Sequence, residues 1–232
     1  MRAHDQDFQT SISIRLQYRA FLPDGYDGTP TSDNYPLIIC LHGAGERGND
    51  LAQFPKLGLA HKLARSDSVP FIVVAPQCPR NLDWSMILPA LESLVLHVLK
   101  TFRVDADRVY LTGFSMGGFG VWALATEYPH LFAAVAPICG GGRPLLDFPD
   151  RLRNIVRLPI WCFHGEQDEE IPVRETLKLV EALTMFGGDV RCTVYPGVGH
   201  DSWTQTYDDP ELYEWFLRHK RQVPQSALTG GT

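Results

Sequence analysis

Continuous hydrophobic runs alternate with segments of helical periodicity along most of the chain. The continuous runs predict buried strands over 35–43, 69–77, 107–113, 131–141, 158–165 and 189–197. Apolar residues that recur every three or four positions predict helices over 88–102, 117–129, 172–188 and 208–222. Residues 11–23 alternate apolar and polar positions, which predicts an edge strand or a hairpin.

This order of elements predicts an α/β fold with a mostly parallel sheet and helices on both faces. We expect one domain over residues 1–221, whose last helix begins at Asp209 as N-cap and Pro210 as first helical residue. Residues 222–232 have no periodicity and are predicted to form a flexible tail. The non-periodic stretch 140–157 is too short for a lid domain, so we expect a lidless fold.

Composition and charge indicate which kinds of partner and which location to expect. The 232 residues are 44% hydrophobic and 21% charged, which is typical of one globular domain. A formal net charge of −6 argues against nucleic acid as a partner. No apolar stretch approaches the ~20 residues of a membrane span. The polar N-terminus lacks the apolar core of a signal peptide, so a cytoplasmic location is expected unless an export signal is missing from this sequence.

The cysteines do not indicate a metal site. There are five, spread along the chain and mostly within apolar runs: Cys40, Cys78, Cys139, Cys162 and Cys192. No Cys-x-x-Cys pair or Cys/His spacing of a zinc site is present. We therefore expect reduced, buried thiols and no metal or organic cofactor.

One serine lies between glycines at the junction of a predicted strand and a predicted helix. The stretch from Gly113 to Gly117 fits the pattern G-x-S-x-G, with Ser115 at its centre. Taken alone, the serine is also explained as a helix cap. The strand before it and the helix after it favour a strained turn that raises the Ser115 hydroxyl above the sheet as a nucleophile.

A serine nucleophile needs a base and an acid that orients the base. Asp168 and His200 follow two later strands, and the chain order Ser, Asp, His is the one expected after such a turn. All three would lie at the carboxyl ends of parallel strands, where open α/β sheets bind ligands. Other acids and histidines near these strand ends remain alternatives: Glu166, Glu169, Glu170, Asp201, His42 and His164.

Acyl transfer also needs backbone N–H groups where negative charge develops on the carbonyl oxygen. The residue after the nucleophile, Met116, is expected to provide one of them. The loop 42–50 after an earlier strand is expected to provide the other, from Ala44 or, as second choice, from Gly45.

The motifs HGAGERGND, GFSMGG, HGEQDEEIP and GHDSWTQTYDDPELYEWFL resemble those of the α/β-hydrolase superfamily over about residues 12–220. The chain is most similar to its small, lidless carboxylesterase branch. That branch includes dienelactone hydrolases, phospholipase/carboxylesterase-type enzymes, feruloyl and acetylxylan esterases, and predicted peptidases related to polyhydroxybutyrate depolymerases. A serine at the nucleophile position argues against the dienelactone hydrolases proper, which use cysteine.

The resemblance implies an α/β-hydrolase catalytic domain over 1–221. It also implies roles for the residues named above. Ser115 would be the nucleophile, His200 the base and Asp168 the acid that orients it. The backbone N–H groups of Ala44 and Met116 would form the oxyanion hole.

Two tryptophans are candidate substrate contacts. Trp84 follows a strand end and is expected to contact substrate. Trp203 lies three residues after His200 and either contacts substrate or packs the histidine loop. Glu46 and Arg47 either contact a polar substrate or, as the preferred interpretation, form an ion pair that braces the oxyanion loop.

Together these features predict a serine carboxylesterase that hydrolyses short-chain or bulky soluble esters through an acyl-enzyme. Its partner would be a small-molecule ester. Two alternatives remain: a serine peptidase acting on short peptides, and a non-catalytic binding protein on a hydrolase fold.

Overall fold

The computed structural model describes residues 13–26, 34–65, 68–142 and 149–221. The strands within these ranges are β1 (Gln17–Phe21), β2 (Tyr35–Leu41), β3 (Ile72–Gln77), β4 (Val104–Phe114), β5 (Ala134–Ile138), β6 (Ile160–Gly165) and β7 (Val190–Tyr195). The α-helices are α1 (Gly58–Ala64), α2 (Leu88–Thr101), α3 (Met116–Glu127), α4 (Arg174–Met185), α5 (Trp203–Asp208) and α6 (Pro210–Arg218).

The strands form one sheet in the order β1-β3-β2-β4-β5-β6-β7. Strands β2 to β7 are parallel to one another, and β1 pairs antiparallel with β3 at one edge. The predicted α/β class, the mostly parallel sheet and the edge strand are therefore confirmed. The predicted tail 222–232 lies outside the described residues.

Helices cover both faces of the sheet because the buried strands alternate their side chains between the two sides. One face of β2 directs Leu37, Ile39 and Leu41 into a core that includes residues of α2, α3 and α4. The other face directs Ile38 and Cys40 into a second core that includes residues of α1, α5 and α6. The continuous apolar pattern of β2 in the sequence follows from these two cores.

Two short helices were not predicted from the sequence. Helix α1 has seven residues and α5 has six, and both are too short for a clear 3.6-residue period. The start of α6 agrees with the prediction, because the Asp209 carboxylate accepts a hydrogen bond from the Glu211 amide at 2.9 Å. Among the described residues no helix is both long and apolar enough to cross a membrane.

Helix α3 begins against the backbone of β2. A Cβ on Gly117 would lie 2.0 Å from the Leu41 carbonyl oxygen, and one on Gly113 would lie 2.7 Å from the same atom. Both positions therefore require glycine for close backbone approach rather than for a special φ angle. This approach places the start of α3, and Ser115 before it, at the carboxyl edge of the sheet.

We expect Gly117→Ala to lower the free energy of unfolding by about 2 kcal/mol, because the added methyl group meets backbone that cannot move aside. In an open helix the same change would raise stability by about 1 kcal/mol, so the sign of the effect is diagnostic. Urea unfolding of wild type and variant measures this change in the free energy of unfolding.

Gly45→Ala is the matched control, since a Cβ on Gly45 would meet no heavy atom within 4 Å. It should change stability by less than about 0.5 kcal/mol. A stabilised Gly117→Ala protein would contradict the close approach of α3 to β2.

Candidate active site

Ser115 occupies a strained turn between β4 and α3. Its backbone angles are φ 55° and ψ −119°, in a region that residues other than glycine rarely adopt. The Ser115 amide donates to the Ile138 carbonyl at 3.0 Å and to the Cys139 sulfur at 3.3 Å. These contacts with the end of β5 hold the turn, so the partly exposed hydroxyl projects from the carboxyl edge of the sheet.

The structure brings Ser115, His200 and Asp168 into one hydrogen-bonded chain. The His200 Nε2 lies 3.0 Å from the Ser115 Oγ, and the His200 Nδ1 lies 2.7 Å from the Asp168 Oδ2. Since a carboxylate only accepts, the Nδ1–H donates to Asp168 and Nε2 is free to accept the serine proton. This geometry is that of a nucleophile, a base and an acid that orients the base.

The Asp168 carboxylate is buried and held on both oxygens. Its Oδ1 accepts from the amides of Glu170 at 3.0 Å and Ile171 at 2.8 Å. Its Oδ2 accepts from His200 and also lies 3.2 Å from the Nε2 of His164. The orientation of the carboxylate is therefore determined by four contacts rather than by His200 alone.

The loop that carries His200 is joined to the loop that carries Asp168. The Gln167 amide donates to the Val198 carbonyl at 2.8 Å, and a Cβ on Gly165 would lie 2.0 Å from the Gly199 carbonyl oxygen. Gly165 thus allows the two loops to approach closely. The distance between acid and base is determined by backbone contacts as well as by their own hydrogen bond.

Trp203 packs on this loop. Its ring lies edge-on to the His200 ring, with centroids 5.4 Å apart, and tilted against Phe114 at 4.5 Å. The side chain, on the first residue of α5, is buried in the second core. Of the two interpretations open from the sequence, the structure favours packing of the histidine loop.

The two predicted oxyanion donors both lie at helix starts. Ala44 is the first residue of a 3-10 turn, and Met116 is the first residue of α3. Neither N–H donates a hydrogen bond to any group in the part of the chain that the structure describes. Both are thus available to a ligand, as are the first N–H groups of helices in general.

His42 holds the peptide that carries the Ala44 N–H. Its Nε2 accepts from the Cys78 amide at 2.9 Å, so its Nδ1 carries the proton and donates to the Gly43 carbonyl at 2.6 Å. Because the peptide is planar and trans, orienting the Gly43 carbonyl also orients the Ala44 N–H in the opposite direction. Burial lowers the pKa of His42 to about 4 and keeps the ring neutral.

The prediction that Trp84 contacts substrate is wrong. Its side chain is fully buried, packs edge-on against His42 with centroids 4.9 Å apart, and donates from Nε1 to the His42 carbonyl at 3.0 Å. Trp84 supports the oxyanion loop from behind. The sequence signal of a tryptophan after a strand end does not distinguish these two roles.

Glu46 and Arg47 do not pair with each other. The buried Glu46 Oε1 accepts from the amides of Lys56 at 2.6 Å and Leu57 at 3.1 Å. Arg47 donates to the carbonyls of Ala44 at 3.1 Å and Leu82 at 3.5 Å. Both residues brace the oxyanion loop, but through backbone groups instead of an ion pair.

None of the alternative acids for which the structure gives a contact takes the place of Asp168. Glu166 accepts from the Gly197 amide at 2.9 Å, and Asp201 accepts from the Thr204 amide at 3.1 Å. Glu170 is largely exposed, with its Oε2 3.6 Å from the His200 Nε2. Among the described acids, only Asp168 lies within hydrogen-bond distance of the His200 Nδ1.

One group of potential metal ligands coincides with this site. The Cys139 sulfur, an Asp168 oxygen and a His200 nitrogen lie within 4.8 Å of one another. Burial raises the pKa of the Cys139 thiol to about 12, and a protonated thiol is a poor ligand. The Asp168 and His200 atoms already bond to each other, so the arrangement fits a hydrogen-bonded chain better than a metal centre.

The model of the dienelactone hydrolase family matches residues 74–214, which is more than half of the 232 residues. The matched range includes Ser115, Asp168 and His200. The chain belongs to the dienelactone hydrolase family.

Relatives of this dienelactone hydrolase family member include proteins named as esterases. The chain is 26% identical over 236 residues to a protein named esterase NocK of Nocardia uniformis subsp. tsuyamanensis, which covers 95% of this chain and 64% of that protein. It is 24% identical over 225 residues to acyl-protein thioesterase 1 of Gibberella zeae, which covers 83% of this chain and 93% of that protein.

Solved structures show the same fold. A thermostable esterase matches with a TM-score of 0.73 and 35% identity over 89% of this chain and 60% of its own. A ferulic acid esterase at 19% identity has a TM-score of 0.65. The chain thus spans less than two thirds of the length of NocK and of the thermostable esterase.

The burial of His42 predicts a pH-dependent stability. Its pKa is about 4 in the folded protein and 6.5 unperturbed, so the unfolded chain binds more protons between these values. Stability from the neutral ring is therefore present above about pH 6.5 and is lost as pH falls towards 4, by up to about 3 kcal/mol. We expect the stability difference between wild type and His42→Gln to shrink by about that amount from pH 7 to pH 4.

Urea unfolding at several pH values measures this difference. Parallel stability curves for wild type and His42→Gln would show that His42 does not resist protonation.

Proposed function

We propose that this protein is a serine carboxylesterase that works through an acyl-enzyme. The observation that carries the proposal is the chain from Ser115 Oγ to His200 Nε2 at 3.0 Å and from His200 Nδ1 to Asp168 Oδ2 at 2.7 Å. It lies at the carboxyl edge of a parallel sheet, together with the N–H groups of Ala44 and Met116, which have no acceptor among the described residues. Membership of a hydrolase family and relatives named as esterases support the same chemistry.

In the first half-reaction Ser115 Oγ attacks the ester carbonyl while His200 Nε2 takes the hydroxyl proton. Asp168 holds the ring and stabilises the imidazolium that forms. The negative carbonyl oxygen accepts from the N–H groups of Ala44 and Met116. The carbon–oxygen bond to the alcohol then breaks, and the leaving alcohol takes the proton from His200.

In the second half-reaction water attacks the acyl carbon. His200 takes a proton from this water, and the same two amides hold the new oxyanion. Collapse breaks the bond to Ser115 Oγ, which recovers its proton from His200. The net reaction consumes ester and water and produces acid and alcohol, without a cofactor.

The proposed substrates are short-chain or bulky soluble esters. The Ser115 hydroxyl is partly exposed, and the described residues contain no lid domain above it. Long acyl chains need a deep apolar cover to gain binding energy. An open site of this kind favours substrates that are recognised close to the reacting carbonyl.

Thioesters are a second candidate substrate class. The relative named acyl-protein thioesterase 1 matches over 83% of this chain and 93% of its own length. A thiolate leaving group is expelled more easily than an alkoxide, so the same three residues suffice. Comparing p-nitrophenyl butyrate with butyrylthiocholine separates the two preferences.

We expect Ser115→Ala to lower kcat for p-nitrophenyl acetate by at least about 10³-fold, because the nucleophile is removed.

Wild-type activity should fall along the series from acetate to decanoate, and peptide anilides should not be cleaved. A fluorophosphonate probe should label wild type on Ser115, as measured by mass spectrometry.

Ser93→Ala is the matched control. Ser93 is exposed on α2, where its hydroxyl donates to the Pro89 carbonyl at 2.9 Å, and this variant should keep wild-type activity and labelling. Equal activity of Ser115→Ala and wild type would refute the serine mechanism. Cleavage of anilides at rates comparable with esters would favour the peptidase alternative, and absence of labelling would favour a binding protein.

A further inference from the structure

A second histidine contacts the acid of the proposed triad. His164 is the fifth residue of β6 and is fully buried. Its Nε2 lies 3.2 Å from the Asp168 Oδ2, the oxygen that accepts from His200 Nδ1 at 2.7 Å. This Asp168 oxygen therefore lies between two imidazole rings.

The partners of His164 determine which nitrogen carries its proton. Nε2 faces two oxygens that only accept, the Ile171 carbonyl at 2.8 Å and the Asp168 carboxylate at 3.2 Å. An unprotonated Nε2 would be repelled by both, so this nitrogen carries a hydrogen.

The other ring nitrogen faces a hydroxyl. Nδ1 lies 2.8 Å from Thr176 Oγ1, which also donates to the Gly140 carbonyl at 2.7 Å. Burial lowers the pKa of His164 and favours the neutral ring. In that ring Nδ1 carries no hydrogen and is an acceptor, so the one Thr176 hydroxyl proton serves either Nδ1 or the Gly140 carbonyl at a given time. This tautomer is the opposite of the one found at His42.

We propose that His164 is a positioning residue whose Nε2–H, besides its hydrogen bond to the Ile171 carbonyl, makes a second and longer contact with Asp168 Oδ2 and thereby moderates the acid that faces His200. The proposal rests on the serine mechanism proposed above. His164 does not contact the reacting atoms, and its effect on catalysis passes through Asp168.

The contact has two physical consequences. The His164 N–H attracts Oδ2 while two amides hold Oδ1, and both effects oppose rotation of the carboxylate away from His200. The donor also withdraws negative charge from Oδ2. Without it the carboxylate would stabilise the His200 imidazolium more strongly, and the base would stay protonated to higher pH.

Other titratable groups face this pair. They come from the loop after β5, the loop after β6 and the loop before α5: Cys139, Glu170 and Asp201. All of them are unchanged by a substitution at His164. A difference in pH dependence between His164 variants therefore reports on the groups that His164 itself contacts, among which Asp168 is the charged one.

Three substitutions test the contacts of the two His164 ring nitrogens separately. In His164→Gln the side-chain amide can place an N–H near the position of Nε2, where Asp168 and Ile171 accept. In His164→Asn the amide reaches only the position of Nδ1, beside Thr176. His164→Phe keeps the shape and removes both polar atoms.

We expect the acidic limb of the pH profile of kcat/KM to move up by about half a pH unit in His164→Phe and His164→Asn. In His164→Gln it should stay at the wild-type position. A purely structural role would lower activity or Tm without moving the limb. The proposal is overturned if no variant moves the limb, or if all three move it equally.

A measurement on the wild-type protein requires neither variants nor turnover. Long-range ¹H–¹⁵N NMR of ¹⁵N-histidine-labelled protein distinguishes the two neutral tautomers and the imidazolium. We expect His164 as the neutral Nε2–H form from pH 6 to pH 8, and an Nδ1–H form or an imidazolium would overturn the proposal. Because the spectrum does not depend on catalysis, a failure of the proposed esterase activity remains distinguishable from a failure of this inference.

Discussion

The turn from β4 into α3 is the constraint on which the rest of the site depends. The chain leaves the central strand and begins a helix within one residue, with Ser115 at φ 55°. The helix can begin there only because Gly117 lets its backbone meet the end of β2, where a Cβ would lie 2.0 Å from Leu41 O. Close packing of the β2, β4 and α3 backbones thus stabilises the strained conformation of Ser115.

The oxyanion loop depends on contacts from distant parts of the chain. The Cys78 amide, the Trp84 indole and the Lys56 amide reach it from three different segments, and each satisfies a polar group of residues 42–46. A loop held at several points loses little entropy when a ligand binds, and its N–H groups are already oriented. Pre-orientation of this kind is what the proposed acyl transfer requires.

The histidines around the site differ in tautomer and exposure because each has different hydrogen-bond partners. His42 and His164 are both buried, and burial lowers the pKa of each. Backbone groups and Thr176 assign them opposite tautomers. His200 is partly exposed and lies between a hydroxyl and a carboxylate, which is the setting that a general base needs.

The sequence by itself determined the α/β class, the position of most strands and helices, and the strand–serine–helix turn. These features depend on periodicity and on glycines close in sequence, so they are local. Only the tertiary structure decided that Trp84 is buried behind His42, that Glu46 binds the amides of a later loop, and that His164 contacts Asp168. These outcomes depend on which strand ends and loops meet in space, and residue pattern alone does not encode those distances.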